Sequence, residues 1–144
     1  MDNLYRDFIL EHYREPHNRG VLDPHDLHFF DSNPTCGDEM TMTLRLDSAG
    51  ERIADVAFDG RGCAISQASA SIMTDELRGL SLAEVRDIDP LAVIANLGVP
   101  IGPARVKCAL LGYKVLQGAV TGGAAAWPDE ADVLTDAGSG GGAP

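Results

Sequence analysis

The chain has 144 residues, with 11 Lys+Arg against 22 Asp+Glu and a formal net charge of −11. That length is one domain around one core, and a hydrophobic fraction of 44% with 23% charged residues excludes whole-chain disorder and a disulfide scaffold. A twofold excess of acids with no clustered Lys/Arg excludes nucleic acid as an expected partner, and the lack of any apolar run near ~18 residues or of a secretory leader argues against a membrane.

In chain order, Leu4, Tyr5, Phe8, Ile9 and His12 recur at helical spacing and predict a first helix over Asp2–Arg14. Pro16, Asn18 and Gly20 break it, and the turn formers from Pro24 to Pro34 predict an irregular, extended connector that carries three of the four histidines. Met40, Met42, Leu44 and Leu46 alternate with Thr41, Thr43 and Arg45, the signature of a half-buried strand. Asp47–Gly50 is the turn, and Ile53–Phe58 is an antiparallel partner strand.

After Cys63 the small residues and helix formers of Ala64–Arg78 predict a helix closed by Gly79. Short helices are expected at Leu82–Val85, with Ser81 and Glu84 as a capping box, and at Leu91–Asn96 after Pro90. Val106, Leu110, Leu111, Val115, Leu116 and Ala119 mark a last long helix between Pro103 and Gly122. Strands followed by helices give an α+β fold, with a small antiparallel sheet of about three strands packed by helices. A domain over residues 1–123 is followed by an acidic, Gly/Ala-rich tail, 124–144, expected to be disordered apart from a docking role for Trp127.

Cys36, Cys63 and Cys108 are the only cysteines, and an odd count without a leader points to the reducing cytoplasm. Cys36 precedes Gly37-Asp38, a turn that lets Cys36 and Asp38 face one centre. Cys63 opens one helix and Cys108 lies near the start of another beside Arg105 and Lys107, places where the helix field and positive charge favour thiolate. Cys36, Asp38, Cys63 and Cys108 together make a four-coordinate set for Zn²⁺ or for iron. The cysteines are 27 and 45 residues apart, without zinc-finger knuckles, so the ligands meet only through the tertiary fold. One oxygen ligand and no knuckles suit a site that exchanges ligands better than a structural lock.

Four segments closely resemble the U-type iron–sulfur cluster assembly family, the IscU/SufU proteins and the N-terminal domain of NifU. They are the opening Leu4-Tyr5-Arg6 through His12-Tyr13-Arg14-Glu15-Pro16-His17-Asn18-Arg19-Gly20, then Asn33–Asp38, Gly60–Ser66 and Arg105–Cys108. The resemblance spans residues 2–122 and implies a NifU N-terminal, SufE-like fold. It implies a partner, a pyridoxal-phosphate cysteine desulfurase of the SufS kind, from which persulfide sulfur passes on to downstream iron–sulfur assembly proteins. It also implies Cys36, Asp38, Cys63 and Cys108 as ligands of zinc or of a cluster.

Two branches of that family differ near the third cysteine. The IscU branch, a scaffold for a transient 2Fe–2S cluster, has His before that cysteine and a Leu-Pro-Pro-Val-Lys motif upstream. Here Lys107 holds the His position and Gly102–Val106 is not that motif, so the chain resembles the SufU branch. That resemblance implies zinc, Cys36 as sulfur acceptor and Arg105 as a residue working with the desulfurase. The separation of 45 between the second and third cysteines is nevertheless of the IscU type, and an IscU-like mechanism would make Cys108 the acceptor. A structural zinc-binding interaction domain is the alternative of another class. Whether the protein is itself a transferase or a non-enzymatic scaffold is left open by the residues. His12 is read as a packed or capping histidine; His17, His25 and His28 as solvated or hydrogen-bonded; Arg61 either steers the desulfurase or sits in solvent.

Overall fold

A computed structural model describes residues 3–33 and 37–122 of the chain. The first helix, α1 (Asn3–Arg14), leads through a turn into three strands, β1 (Leu27–Asn33), β2 (Asp38–Leu46) and β3 (Ile53–Arg61). Four helices follow: α2 (Ala64–Thr74), α3 (Leu82–Arg86), α4 (Pro90–Ala95) and α5 (Val106–Thr121), the last entered through a 3₁₀ turn at Pro103–Arg105. The strands form one antiparallel sheet in the order β1-β2-β3. The expected α+β architecture with three antiparallel strands is therefore present.

The central strand shows why the alternation was readable. Met40, Met42 and Leu44 are fully buried on one face, and Met42 and Leu44 pair in register with Phe58 and Val56 of β3. Against this face and one another pack α5 and α2, whose Leu110, Leu111, Val115, Leu116, Ala68 and Ala70 complete the core. Small residues set how closely these layers approach. Gly118 of α5 lies on the Phe29 ring, where a Cβ would fall 2.4 Å from Cδ2. The buried hydroxyls of α2 are satisfied locally or across the helix pair, as in Ser69 donating to the carbonyl of Ala109 at 2.7 Å.

The connector expected to be irregular across Pro24–Pro34 contains β1, which is a correction. Its own exposure alternates only weakly, with Phe30 turned outward and 54% exposed, and it ends in the turn formers Asp31-Ser32-Asn33. It is a strand because β2 offers it a ladder from Leu27↔Leu44 to Asn33↔Asp38, and because Lys114 of α5 pairs with Asp31. The helix after Cys63 is also shorter than expected. It stops at Thr74, and Asp75–Arg78 continue as turn. The capping box at Ser81 and Glu84 and the left-handed Gly122 at the end of α5 are as predicted. The backbone of Asn18–Gly20 bonds to Phe58 and covers the outer edge of β3. The expectations for the tail 124–144 and Trp127, and hence the boundary at 123/124, lie outside the described residues.

Candidate metal centre

Three elements converge at one end of the sheet. Asp38 is the first residue of β2, Cys63 caps the N-terminus of α2 in an extended conformation, and Cys108 is the third residue of α5. One donor atom from each lies within 4.8 Å of the others. Asp38 and Cys108 are buried, at 4% exposure each, while Cys63 is half-buried and forms the accessible side. Cys36 lies outside the described residues; its neighbours Asn33 and Asp38 are register partners across β1 and β2.

Asp38 is held in place by the backbone. Its Oδ1 accepts the Cys63 N–H at 3.2 Å, and its Oδ2 stands 3.7 Å from Cys63 Sγ. In a tetrahedral zinc site with bonds of ~2.3 Å to sulfur and ~2.0 Å to oxygen, the sulfur–oxygen edge is about 3.5 Å. The donor types and this spacing therefore fit a zinc-class ion. Gly62 makes the fit possible, since a Cβ there would lie 2.7 Å from Asp38 Cγ and 2.6 Å from Ser66 Oγ.

Two residues that sequence reasoning did not single out belong to the surroundings. Ser66, one turn into α2, sits with its Oγ 3.9 Å from Cys63 Sγ and donates to the Cys63 carbonyl at 3.0 Å. Its signal was the i, i+3 spacing from a helix-capping cysteine. Glu39 carried no signal, because its link to Arg61 at 3.1 Å crosses from β2 to β3. Arg61 is an 81% exposed side chain ion-paired with Glu39 at the rim. Arg105 is exposed at the N-cap of α5, three residues before Cys108, and Lys107 is half-buried next to it.

The histidines follow the bland readings in part. His12 is buried at 4% exposure with Nδ1 2.7 Å from Ser71 Oγ, and His25 Nδ1 bonds to the Leu22 carbonyl at 2.9 Å. His17 is hydrogen-bonded as well, with Nδ1 2.5 Å from Asp75 Oδ2. Among the described residues, no helix is long and apolar enough to cross a membrane.

A three-stranded antiparallel sheet backed by helices, with an aspartate and two helix-start cysteines drawn to one end, defines a small α+β class with a metal-type centre. Residues 4–124 match the family described as NifU-like N terminal domain, and the chain belongs to that family. Among curated proteins it is 40% identical over 135 residues to the zinc-dependent sulfurtransferase SufU of Bacillus subtilis, covering 81% of this chain and 89% of that protein. It is 32% identical over 139 residues to the iron–sulfur cluster assembly scaffold protein IscU of Streptococcus pyogenes, covering 83% and 84%. A solved structure of a putative iron–sulfur cluster assembly scaffold protein for the SUF system from Fervidobacterium islandicum superposes with a TM-score of 0.67 at 31% identity, covering 79% of this chain and 94% of that one.

Proposed function

We propose that this protein acts in iron–sulfur cluster biogenesis by accepting persulfide sulfur from a cysteine desulfurase at a zinc centre formed by Cys36, Asp38, Cys63 and Cys108. The observation that carries the proposal is the convergence of Asp38, Cys63 and Cys108, from three separate elements, to within 4.8 Å. Covalent connectivity supports adding Cys36, which is two residues from Asp38. The similarity to a protein named a zinc-dependent sulfurtransferase supports the zinc and the transfer.

Zinc bound there would keep the thiols deprotonated yet shielded. The chain's own residues supply the rest. A thiolate of this protein, Cys36 in this reading, attacks the terminal sulfur of the desulfurase persulfide. A new sulfur–sulfur bond forms, the old one breaks, and its electron pair leaves on the desulfurase cysteine as thiolate. No external oxidant or reductant is needed. Asp38, the oxygen ligand in a sulfur-rich set, is the weaker partner for a soft metal and is oriented independently by the Cys63 N–H. Arg105, exposed at the N-cap of α5 three residues before Cys108, is in this reading the residue that works with the desulfurase.

The second reading is a scaffold on which a 2Fe–2S cluster is assembled on the same ligands, favoured by the 45-residue spacing and by the relatives named as scaffolds. Incubation with the cognate desulfurase and free cysteine, alkylative trapping and mass mapping of the persulfide tests the choice. Label on Cys36 with faster sulfide release is expected. Label on Cys108 with a stable cluster on added iron supports the scaffold, and no label on either cysteine overturns the transfer reading.

A further inference from the structure

A second group of metal-ligating side chains lies at the other end of α2. His12 at the end of α1, His17 in the following turn and Asp75 at the C-cap of α2 bring one donor atom each to within 4.8 Å of the others. Cys63 and Asp75 are twelve residues apart along a helix rising 1.5 Å per residue, so this group is about 18 Å from the cysteine centre.

What distinguishes the group from a chance meeting of polar side chains is how each one is held. Ser71 Oγ lies 2.7 Å from His12 Nδ1 and accepts the backbone N–H of His17 at 2.8 Å. The Ser71 hydroxyl thus engages His12 Nδ1 and leaves Nε2 as the second ring nitrogen. Asp75 Oδ1 accepts from Asn18 Nδ2 at 3.0 Å, which leaves Oδ2 for His17. Asn18 is itself fixed, donating to Thr74 Oγ1 at 2.9 Å and accepting from Arg78 Nη2 at 2.7 Å. His12 and Asp75 are thus each fixed by a hydrogen bond at one of their two polar atoms, the kind of support that outer partners give to metal ligands.

We propose that His12, His17 and Asp75 form a second divalent-cation site, selective for a borderline ion of the zinc class, with water as the fourth ligand. Two imidazole nitrogens and one carboxylate oxygen suit zinc rather than magnesium or calcium. Donors of a tetrahedral nitrogen/oxygen site stand about 3.3 Å apart at bonds of ~2.0 Å. His17 supplies the adjustment: its Nδ1, 2.5 Å from Asp75 Oδ2, moves out to that spacing on a turn where its side chain is 50% exposed, whereas His12 forms the buried floor. The backbone of Asn18–Gly20, next to His17, covers the edge of β3, so an ion here ties that turn to α2 and protects the sheet edge.

The test titrates zinc alone into the full chain while the ring signals of all four histidines are followed by NMR. The cysteine centre reports separately through zinc stoichiometry, so the failure of either site does not mask the other. An ion that shifts His12 and His17 but leaves His25 and His28 in place is expected, with a rise in melting temperature. His17→Gln and Asp75→Asn, both at partly exposed positions, should each weaken that binding at least tenfold while leaving one zinc on the cysteines. Three outcomes overturn the site: no histidine shift up to millimolar zinc, shifts confined to His25 and His28, whose rings are 5.2 Å apart, or undiminished binding in His17→Gln.

Discussion

Gly62→Ala is the sharpest probe of the cysteine centre, because it adds one methyl group and removes no ligand. That Cβ would stand 2.7 Å from Asp38 Cγ, 2.8 Å from Oδ1 and 2.6 Å from Ser66 Oγ. Ordinary van der Waals contact begins near 3.4 Å, so the carboxylate must retreat by about 0.7 Å. Metal–ligand distances tolerate only about ±0.2 Å, so in the proposed zinc centre Asp38 would leave the ligand set and zinc affinity would fall by roughly 10–100-fold. Crowding costs the metal-free fold about 1–3 kcal/mol, a fall of roughly 4–12 °C in melting temperature. Competition with a chromogenic chelator measures the affinity, and thermal melts with and without zinc measure the fold. A Gly62→Ala/Ser66→Ala pair separates the two effects. It relieves the contact with Oγ and recovers part of the stability, but leaves Asp38 displaced and zinc weakly held. Zinc affinity in Gly62→Ala equal to that of the parent chain would refute the argument that Gly62 keeps room for Asp38.

Three further outcomes are expected. Met42→Ala empties a fully buried position on the central strand and should cost about 2–5 kcal/mol by urea unfolding, without changing zinc stoichiometry. Gly118→Ala gains about 1 kcal/mol of helix propensity but drives a Cβ to 2.4–2.7 Å from three ring atoms of Phe29; the clash wins, and the melting temperature falls. Burial, then the neighbouring His17, lower the His12 pKa below 6.5, with Asp75 and Glu11 partly offsetting. The unfolded chain therefore takes up a proton that the folded one refuses, so stability is full above pH 6.5 and declines as pH falls toward the lowered value. Urea unfolding between pH 7.5 and 5 should show this slope, and His12→Gln should flatten it; an unchanged slope would show that His12 does not titrate differently on folding.

Local chemistry carried much of this protein into view. The alternation of Met40, Met42 and Leu44, the Ser81/Glu84 box, Pro103 before the last helix and Gly122 after it are short-range signals, readable wherever side-chain period and capping decide structure. The placement of Cys63 and Cys108 at helix starts was equally legible, since a Gly-rich approach or a proline marks each start. What the amino acids alone could not decide is everything set by partners distant in the chain. Leu27–Asn33 becomes a strand because β2 supplies its hydrogen bonds, not because of its own pattern. Asp38, Cys63 and Cys108 were proposed as one centre from residue type and resemblance, but their approach to within 4.8 Å depends on β2, α2 and α5 packing around one core. The same packing brings His12 and His17 to Asp75, across more than fifty residues, through Ser71 on α2. Spacing in sequence says nothing about such a meeting; burial of the helix faces that carry these residues produces it.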